Sequence, residues 1–410
     1  MPRFDPENIG QGDDKLRLVL ADREVFIAES CEVKSGVFVH PAAWSMRLGH
    51  SGVAAQLLKK YFPNDPFKLY IGPNLQQTGF IDAVGATQSS GGTDFTIRGR
   101  DILAPMHDDL IDAERAFNEK TYFDLVRKNL DEVGLEKYPL RATNRAYREL
   151  KAGVAIRELA PPRNVEEILT NAGSGGRGDG IVHQVIQAKL GERRYDFVKR
   201  YLDLVGLFLW AGADEFILSE PNANQDPIGR IRRTLDQTSQ DTNVKSCTFD
   251  NGTEHRFALY QVYGHGAGRK NNHAKAIGQF LDDEMDFLGF RKSKTIRSTN
   301  ARTTEQAVFL ARRHMAEANR ASYKLHYTVS GYRAPSLYGG LSFVWTTDTV
   351  IEVDDELLGI KAPYYVSGVT QREGPQAETE IELTRPADLV FGPLEFPPGM
   401  VKHLPRTALR

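Results

Sequence analysis

The chain has 410 residues, of which 40% are hydrophobic and 26% charged, and its formal net charge is −2. This length needs more than one typical domain core, and the composition excludes a wholly disordered protein. The low net charge excludes a global basic field that would gather DNA or an anionic membrane. Two cysteines, Cys31 and Cys247, exclude a disulfide scaffold and a Cys-rich zinc module, and they indicate a protein matured in reducing cytosol.

No stretch of the sequence predicts a targeting signal or a membrane span. The first 14 residues are polar and acidic, without the apolar core of a signal peptide. The longest apolar-rich stretch, residues 202–218, is interrupted by Asp203, Asp214 and Glu215, so it indicates a buried helix running into a strand. We therefore predict no membrane insertion.

Residues 1–112 predict a first β-barrel domain. Leu16, Leu18 and Leu20 alternate with polar neighbours, as in a half-buried strand. The run SSGG at residues 89–92 is a turn signal between two strand patterns and predicts a hairpin. Several short strands in succession are typical of a small barrel or sandwich.

Residues 113–212 predict a helical or mixed domain. Thr121 occupies the position of a helix N-cap with Asp124 three residues later, and Gly134 occupies the position that follows a helix C-terminus. Further helical periodicity follows, including one helix predicted over residues 195–210.

The remaining sequence predicts a second barrel that an insertion divides. Strand patterns at residues 213–240 and 315–390 predict this second β-barrel, and residues 241–314 predict an insertion with β strands and a helix. The predicted fold class is α+β and mainly β, with two β-barrel domains, a helical or mixed domain between them, and an insertion in the second barrel. We expect each β region to form its own barrel sheet, and the two barrels to superpose.

The sequence predicts no cofactor and no metal site. The glycine-rich run at residues 173–180 lacks the Lys-Ser or Lys-Thr that closes a phosphate-binding loop. His255, His265 and His273 lie close in sequence, but their spacing matches no helix face or tight turn that would gather them around zinc. Common nucleophile–base and zinc-protease motifs are also absent from the sequence.

Acidic and basic runs leave two alternative functions open. A glycan hydrolase would need a carboxylic acid of raised pKa about 5–10 Å from a second carboxylate. A ligand-binding or nucleic-acid-binding module would use basic residues, such as those at 230–233, in a groove with stacked aromatic rings. The acidic runs that could serve a hydrolase are Asp108-Asp109, Asp282-Asp283-Glu284 and Asp354-Asp355-Glu356.

Two parts of the sequence, residues 95–112 and residues 345–386, carry a resemblance. They resemble baseplate hub proteins of Mu-like contractile-tailed phages, the late control protein D or tail hub family. The segment FTIRGRD at residues 95–101, followed by LID at 110–112, resembles the strand and loop that close the first barrel of these hubs. Residues 345–360, 364–374 and 379–386 resemble their C-terminal strands, the first of which ends in aspartates.

The resemblance implies a structural, non-enzymatic protein with two tube-like barrels. It implies a homotrimer that adapts a six-fold tail tube to a three-fold central spike and encloses a channel for DNA or effectors. The implied partners are the tail tube or a tube-initiator protein, the central spike protein, and the baseplate wedge and tape-measure proteins. It also implies a place in the virion tail baseplate after assembly in the host cytoplasm, with DNA passing the channel without specific binding.

The predicted channel lining comes from one strand pattern. Alternation places Glu352 and Asp354 on one face of a strand, and Ile351 and Val353 on the other. An acidic channel wall would repel DNA phosphates. We therefore predict that Glu352 and Asp354 line the channel.

Residues 391–410 predict an extended C-terminal arm that serves assembly. Their four prolines disfavour a regular helix or a central strand, and the segment is too apolar for a free tail. We expect this arm to lie on another chain, either a neighbouring hub subunit or the spike. The predicted interface residues are Phe391, Leu394, Phe396, Met400, Val401 and Leu404.

Overall fold

The chain is α+β and mainly β, as predicted. The structure is a computed structural model, and its described helices and strands fall into two six-stranded rings, a central mixed region and an insertion. The described residues are 14–20, 23–25, 28–48, 63–89, 92–112, 116–117, 121–143, 186–203, 205–236, 242–264, 276–298, 301, 304–334, 337 and 342–389.

The first ring is built from seven strand segments in antiparallel order β2-β1-β5-β6-β7-β4-β3. Only two residues separate β2 from β3 in sequence, so these two segments count as one strand, the ring has six strands, and the sheet returns on itself. The predicted hairpin is confirmed, with Ser89 opposite Gly92. The strands are β1 (Leu16–Leu20), β2 (Arg23–Val25), β3 (Ala28–Gly36), β4 (Ala43–Leu48), β5 (Pro66–Ile71), β6 (Asn74–Ser89) and β7 (Gly92–Asp101).

The central region combines three helices with short strands. Helix α1 is Ala104–Asp108, α2 is Tyr122–Glu132 and α3 is Arg194–Leu202. The predicted cap is confirmed, since the Thr121 hydroxyl accepts the N–H of Asp124 at 3.0 Å. The short strands are β8 (Ala116–Phe117), β9 (Leu140–Ala142), β10 (Ile186–Gln187), β11 (Phe208–Ala211) and β12 (Phe216–Ser219).

The helix predicted over residues 195–210 is too long. Helix α3 ends at Leu202, and Gly206 then adopts a φ of 74°, which turns the chain into strand β11. The apolar residues of the short helix are followed closely by the apolar run of a buried strand, so together they resembled one longer helix.

The second ring has the order β14-β18-β23-β22-β21-β13, with one parallel pair between β13 and β21. Asn243 links the two ends of this path, because its side-chain amide donates to the carbonyl of Arg230 and accepts the N–H of Arg232, both at 2.9 Å. The strands are β13 (Gly229–Arg233), β14 (Val244–Asn251), β18 (Tyr323–Ser330), β21 (Thr349–Asp355), β22 (Ile360–Glu373) and β23 (Glu378–Thr384). Strand β14 was assigned to the insertion from sequence, but it pairs along its length with β18.

The insertion is a three-stranded sheet with two helices. Its strands are β15 (Leu259–Gly264), β16 (Ile277–Leu281) and β17 (Ser293–Ser298), and its helices are α4 (Asp283–Phe287) and α5 (Thr304–Ser322). Helix α5 packs closely on this sheet, since a Cβ at Gly278 would overlap the backbone of Ala307. Tyr260, Val262 and Leu310 share one apolar cluster with the central helices, so the insertion and the central region have a common core.

The two rings belong to one continuous sheet, which corrects the expectation of separate barrel sheets. Strand β3 pairs antiparallel with β22, from Cys31 opposite Glu373 to Gly36 opposite Gly368. We call this pairing the seam. Each ring nevertheless keeps its own apolar cluster, one around Trp44 and the other around Tyr327. The superposition of the rings and the predicted division of the chain into domains stay predictions.

Candidate functional site

The predicted channel-lining residues lie on β21 with the expected alternation. Ile351 and Val353 are completely buried in the second ring, whereas Glu352 and Asp354 on the opposite face are partly exposed. The parallel neighbour β13 places Arg230 opposite Glu352 in register. The structure therefore confirms the alternation of the strand, and the channel-lining role stays a prediction.

The two carboxylates on this face differ in their charge environment. Asp354 forms an ion pair with Arg230, and Lys361 of β22 stands opposite it in register. The side-chain carboxylate of Glu352 forms no hydrogen bond or ion pair with any other residue that the structure describes. Of the two, Glu352 is thus the carboxylate whose negative charge is not compensated by a described partner.

Asp355 is part of the acidic run but lies inside the second ring. Its side chain is 1% exposed and accepts the hydroxyl of Tyr327 at 2.6 Å, Nη2 of Arg233 at 2.7 Å and the N–H groups of Leu357 and Leu358 at 3.0 Å. Burial would raise the pKa of Asp355, but the Tyr327 and Arg233 hydrogen bonds outweigh it and lower this pKa. The Asp355 carboxylate therefore has a structural role, because it connects strands β13, β18 and β21 inside the second ring.

Asp108 and Asp109 also form ion pairs. Arg100 binds both Asp82 and Asp108 at 2.7 Å, and the Arg100 hydrogen bond lowers the pKa of Asp108. Asp109 pairs with the buried guanidinium of Arg194, also at 2.7 Å. A lowered pKa is the opposite of what a catalytic acid requires, so this run fits ion pairing better than hydrolysis.

The run at 282–284 has a similar structural use. Asp282 caps helix α4 by accepting the N–H of Met285 at 3.3 Å, and it pairs with the buried Arg256 at 2.9 Å. Glu284 pairs with the same guanidinium at 2.8 Å, which lowers the pKa of this carboxylate. The lowered pKa of Glu284 is the opposite of the raised pKa that a general acid needs.

A polar cleft of about 760 Å³ lies among the first ring, the β9-β12-β11 sheet and the second ring. Burial raises the pKa of Asp348 in this cleft, although the Tyr365 hydroxyl at 2.9 Å and the Asn222 N–H at 3.2 Å donate to its carboxylate. A second carboxylate, Glu215, also lines the cleft and pairs with Arg141 at 2.9 Å. The cleft is therefore lined by two carboxylates, and the pKa of one of them, Asp348, is raised.

Sequence reasoning missed the cleft residues Asp348 and Glu215. Neither belongs to one of the acidic runs considered above, and the elements that surround them are distant in sequence. A weak local signal exists at Asp348, whose φ of 58° is a conformation that Asp tolerates better than most residues. That signal predicts a turn and says nothing about a cleft.

The remaining predicted sites lie mostly beyond the described residues. His265, His273 and the arm at residues 391–410 are outside them, as are residues 173–180. Among the residues that the structure describes, no three His, Cys, Asp or Glu side chains are grouped to hold a metal ion. No helix in the described part of the chain is long and apolar enough to cross a membrane.

Comparisons with known proteins show a shared fold. No family model matches the sequence, and no curated protein matches it. The structure resembles the tail protein from Neisseria meningitidis MC58 with a TM-score of 0.70 and 14% identity, over 92% of this chain and 97% of that one. It also resembles the 43 kDa tail protein of prophage MuSo2 from Shewanella oneidensis with a TM-score of 0.67 and 16% identity, over 91% of this chain and 99% of that one. The chain therefore has the fold of these tail proteins over nearly its whole length.

Proposed function

We propose that this chain is a structural hub protein of a contractile-tail baseplate. The observation that carries the proposal is the likeness to two tail proteins, one of them from a prophage, each covered almost completely by this chain. The two six-stranded rings, joined at the seam, agree with the two tube-like barrels that the sequence resemblance implies. The acidic runs add support, because their members with a lowered pKa serve ion pairs within the fold.

We also propose that the chain forms a homotrimer. Three chains with two rings each would present six rings to a six-fold tail tube while keeping the three-fold symmetry of a central spike. The proposed partners are the tube or tube-initiator protein, the spike, and the wedge and tape-measure proteins. The proposed location is the virion tail baseplate, assembled in the host cytoplasm.

The face of β21 that carries Glu352 is the proposed channel wall. A carboxylate without a partner among the described residues, repeated around a ring, would repel phosphate and let DNA pass without specific binding. The arm at residues 391–410 is the proposed assembly element. Imaging of the purified protein tests this proposal: three-fold rings with a central opening support it, and particles without rotational symmetry contradict it.

The cleft favours one second candidate, a tail-associated glycan hydrolase that uses Asp348 and Glu215 as paired carboxylates. Loss of turbidity of a peptidoglycan suspension would reveal such an activity. The hydrolase requires that Asp348→Asn abolish the activity and leave the fold intact. If the protein is a hub without hydrolase activity, neither the unmodified protein nor the Asp348→Asn variant will change the turbidity of the suspension.

A further inference from the structure

An exposed apolar patch surrounds helix α4 in the insertion. We define the α4 patch as Leu281, Phe287, Leu288 and Phe290, whose exposed fractions are 44%, 90%, 52% and 36%. Met285 lies among them in sequence and is buried, so it anchors the helix while its neighbours face outward. Single exposed apolar residues are normal, but four within ten residues are typical of an interaction surface.

The patch continues onto the outer face of the insertion sheet. Alternation in β16 places Ile277 on the same face as Leu281, and its cross-strand neighbour on β15 is Tyr263. Ile277 is 37% and Tyr263 38% exposed, whereas Tyr260 and Val262 take part in the buried cluster that includes residues of α5. Another chain could therefore contact both α4 and this sheet face.

The C-terminal arm begins close to this patch. Arg385 lies 3.7 Å from Glu284 of helix α4, so the chain passes the helix shortly before the arm starts. Arg320 then donates to the carbonyl of Asp388 at 2.7 Å, and Leu389 is buried beside Val37. The chain thus passes α4 first and is then anchored in a different cluster.

We propose that the arm of one subunit covers the α4 patch of the neighbouring subunit in the trimer, an inference that rests on the proposed function. The large apolar side chains of residues 391–404 match the exposed Phe and Leu side chains of the patch. The charges are complementary, because α4 carries Asp283 and Asp286, whereas the arm has three basic residues, Lys402, Arg406 and Arg410, and one acidic residue, Glu395.

Reach and direction favour the neighbouring copy. Fourteen residues in polyproline conformation span about 43 Å, which is comparable to the diameter of a protein domain. Covering the patch of its own subunit would require the chain to reverse direction after its anchor at Leu389. The prolines of the arm reduce the conformational entropy lost when it docks.

A photo-crosslinking amino acid at Phe287 in the full-length protein tests the contact. We expect cross-linked peptides from residues 391–404, found in the dimer and trimer bands of a denaturing gel. The matched control places the same amino acid at Leu190, which is 93% exposed outside the patch and should not cross-link to the arm. Arm cross-links confined to the monomer band, or cross-links from Phe287 only to other segments, would overturn the proposal.

A second variant tests the energetic consequence without touching any core. Phe287→Ser combined with Leu288→Ser should raise the trimer dissociation constant roughly tenfold or more, because two large apolar side chains no longer contribute. If the protein forms a trimer, but Phe287 gives no cross-links to the arm and the double variant has an unchanged trimer dissociation constant, this inference is wrong and the proposed function still stands. A monomeric mass of the unmodified protein at every concentration would overturn the proposed function as well.

Discussion

The two rings have the same strand number but are stabilised differently. The first ring is continuous in sequence, entirely antiparallel, and filled by an apolar cluster around Trp44 and Phe67. The second ring is assembled from strands on both sides of the insertion, includes a parallel pair, and contains the buried Asp355. Asp355 connects Arg233 of β13 with Tyr327 of β18 inside this ring. The comparison shows that the interrupted ring adds a buried ion pair between two of its strands to its apolar cluster. In the continuous ring, the buried carboxylate of Asp101 instead accepts the backbone N–H groups of Ala42 and Leu103.

The largest effect should follow the loss of this polar link. Asp355→Ala leaves the Arg233 guanidinium without its partner and removes the acceptor of the Tyr327 hydroxyl, so we expect a loss of about 3–5 kcal/mol in the free energy of unfolding. Chemical denaturation measures it. The matched control is the adjacent Asp354→Ala, which breaks a partly exposed ion pair with Arg230 and should cost less than about 1 kcal/mol. Equal costs for both variants would contradict the contrast between the rings.

A packing defect should be the corresponding weakness of the first ring. A Cβ at Gly79 would overlap the backbone carbonyl of Arg100 on the paired strand, and the strand backbone has little room to move. We expect Gly79→Ala to cost about 1–3 kcal/mol in denaturation experiments. Gly85→Ala on the same strand is the control, since its Cβ would meet only the Thr96 hydroxyl at 3.5 Å. A neutral Gly79→Ala would show that this ring is loosely packed.

Acid should destabilise the turn at His40, whose ring lies 5.9 Å from that of Tyr195 on helix α3. His40 donates Nε2–H to the carbonyl of Val37 at 2.7 Å, and burial lowers the pKa of His40 to about 4. Because the pKa of His40 in the folded protein lies below its ordinary value, the contribution of neutral His40 to the free energy of unfolding is complete above about pH 6.5. It is lost as the pH falls toward 4. His40→Gln keeps a hydrogen-bond donor but does not titrate. Between pH 7 and 4.5, the free energy of unfolding of this variant should therefore fall by about 2 kcal/mol less than that of the unmodified protein.

The variant comparison is needed because Asp101 has the opposite dependence. Burial raises the pKa of Asp101 to about 7, so its contribution to stability decreases as the pH rises from about 4 to 7. This term is common to the protein and the His40→Gln variant and cancels in their difference. An identical pH dependence of the two proteins would show that His40 does not titrate in this range.

The smallest effect is expected at the seam. Arg372 of β22 pairs with Glu32 of β3 at 3.2 Å and with Glu380 at 2.7 Å, on the partly exposed face. Arg372→Ala should cost less than about 1 kcal/mol, and the cost should fall with added salt, because backbone pairing between β3 and β22 remains. A cost that exceeds that of Asp355→Ala would show that side-chain charges, and not strand pairing, join the rings.

Local signals in the sequence predicted local structure well. The turn signal at residues 89–92, the cap at Thr121 and the alternation around Glu352 are each set by neighbours within a few residues, and the structure confirms them. The helix predicted within the insertion is also present as α5, in which Val308, Ala311 and Met315 repeat with helical spacing.

Long-range pairing could not be predicted in the same way. The seam joins residues more than 330 positions apart, and the parallel partner of β13 is β21, over 100 residues later. No periodicity specifies which strand becomes the neighbour of which, so β14 was assigned to the insertion. The cleft around Asp348 depends on these pairings, which is why its carboxylates were missed.

The mass of the purified full-length protein across a concentration series tests the central claim most directly. A hub that forms a three-fold ring predicts a stable species of about 138 kDa, three times the chain mass of 45.9 kDa. Light scattering after size-exclusion chromatography measures it without assuming a shape. A mass that stays at 45.9 kDa up to high concentration, or that corresponds to a dimer, would contradict the account.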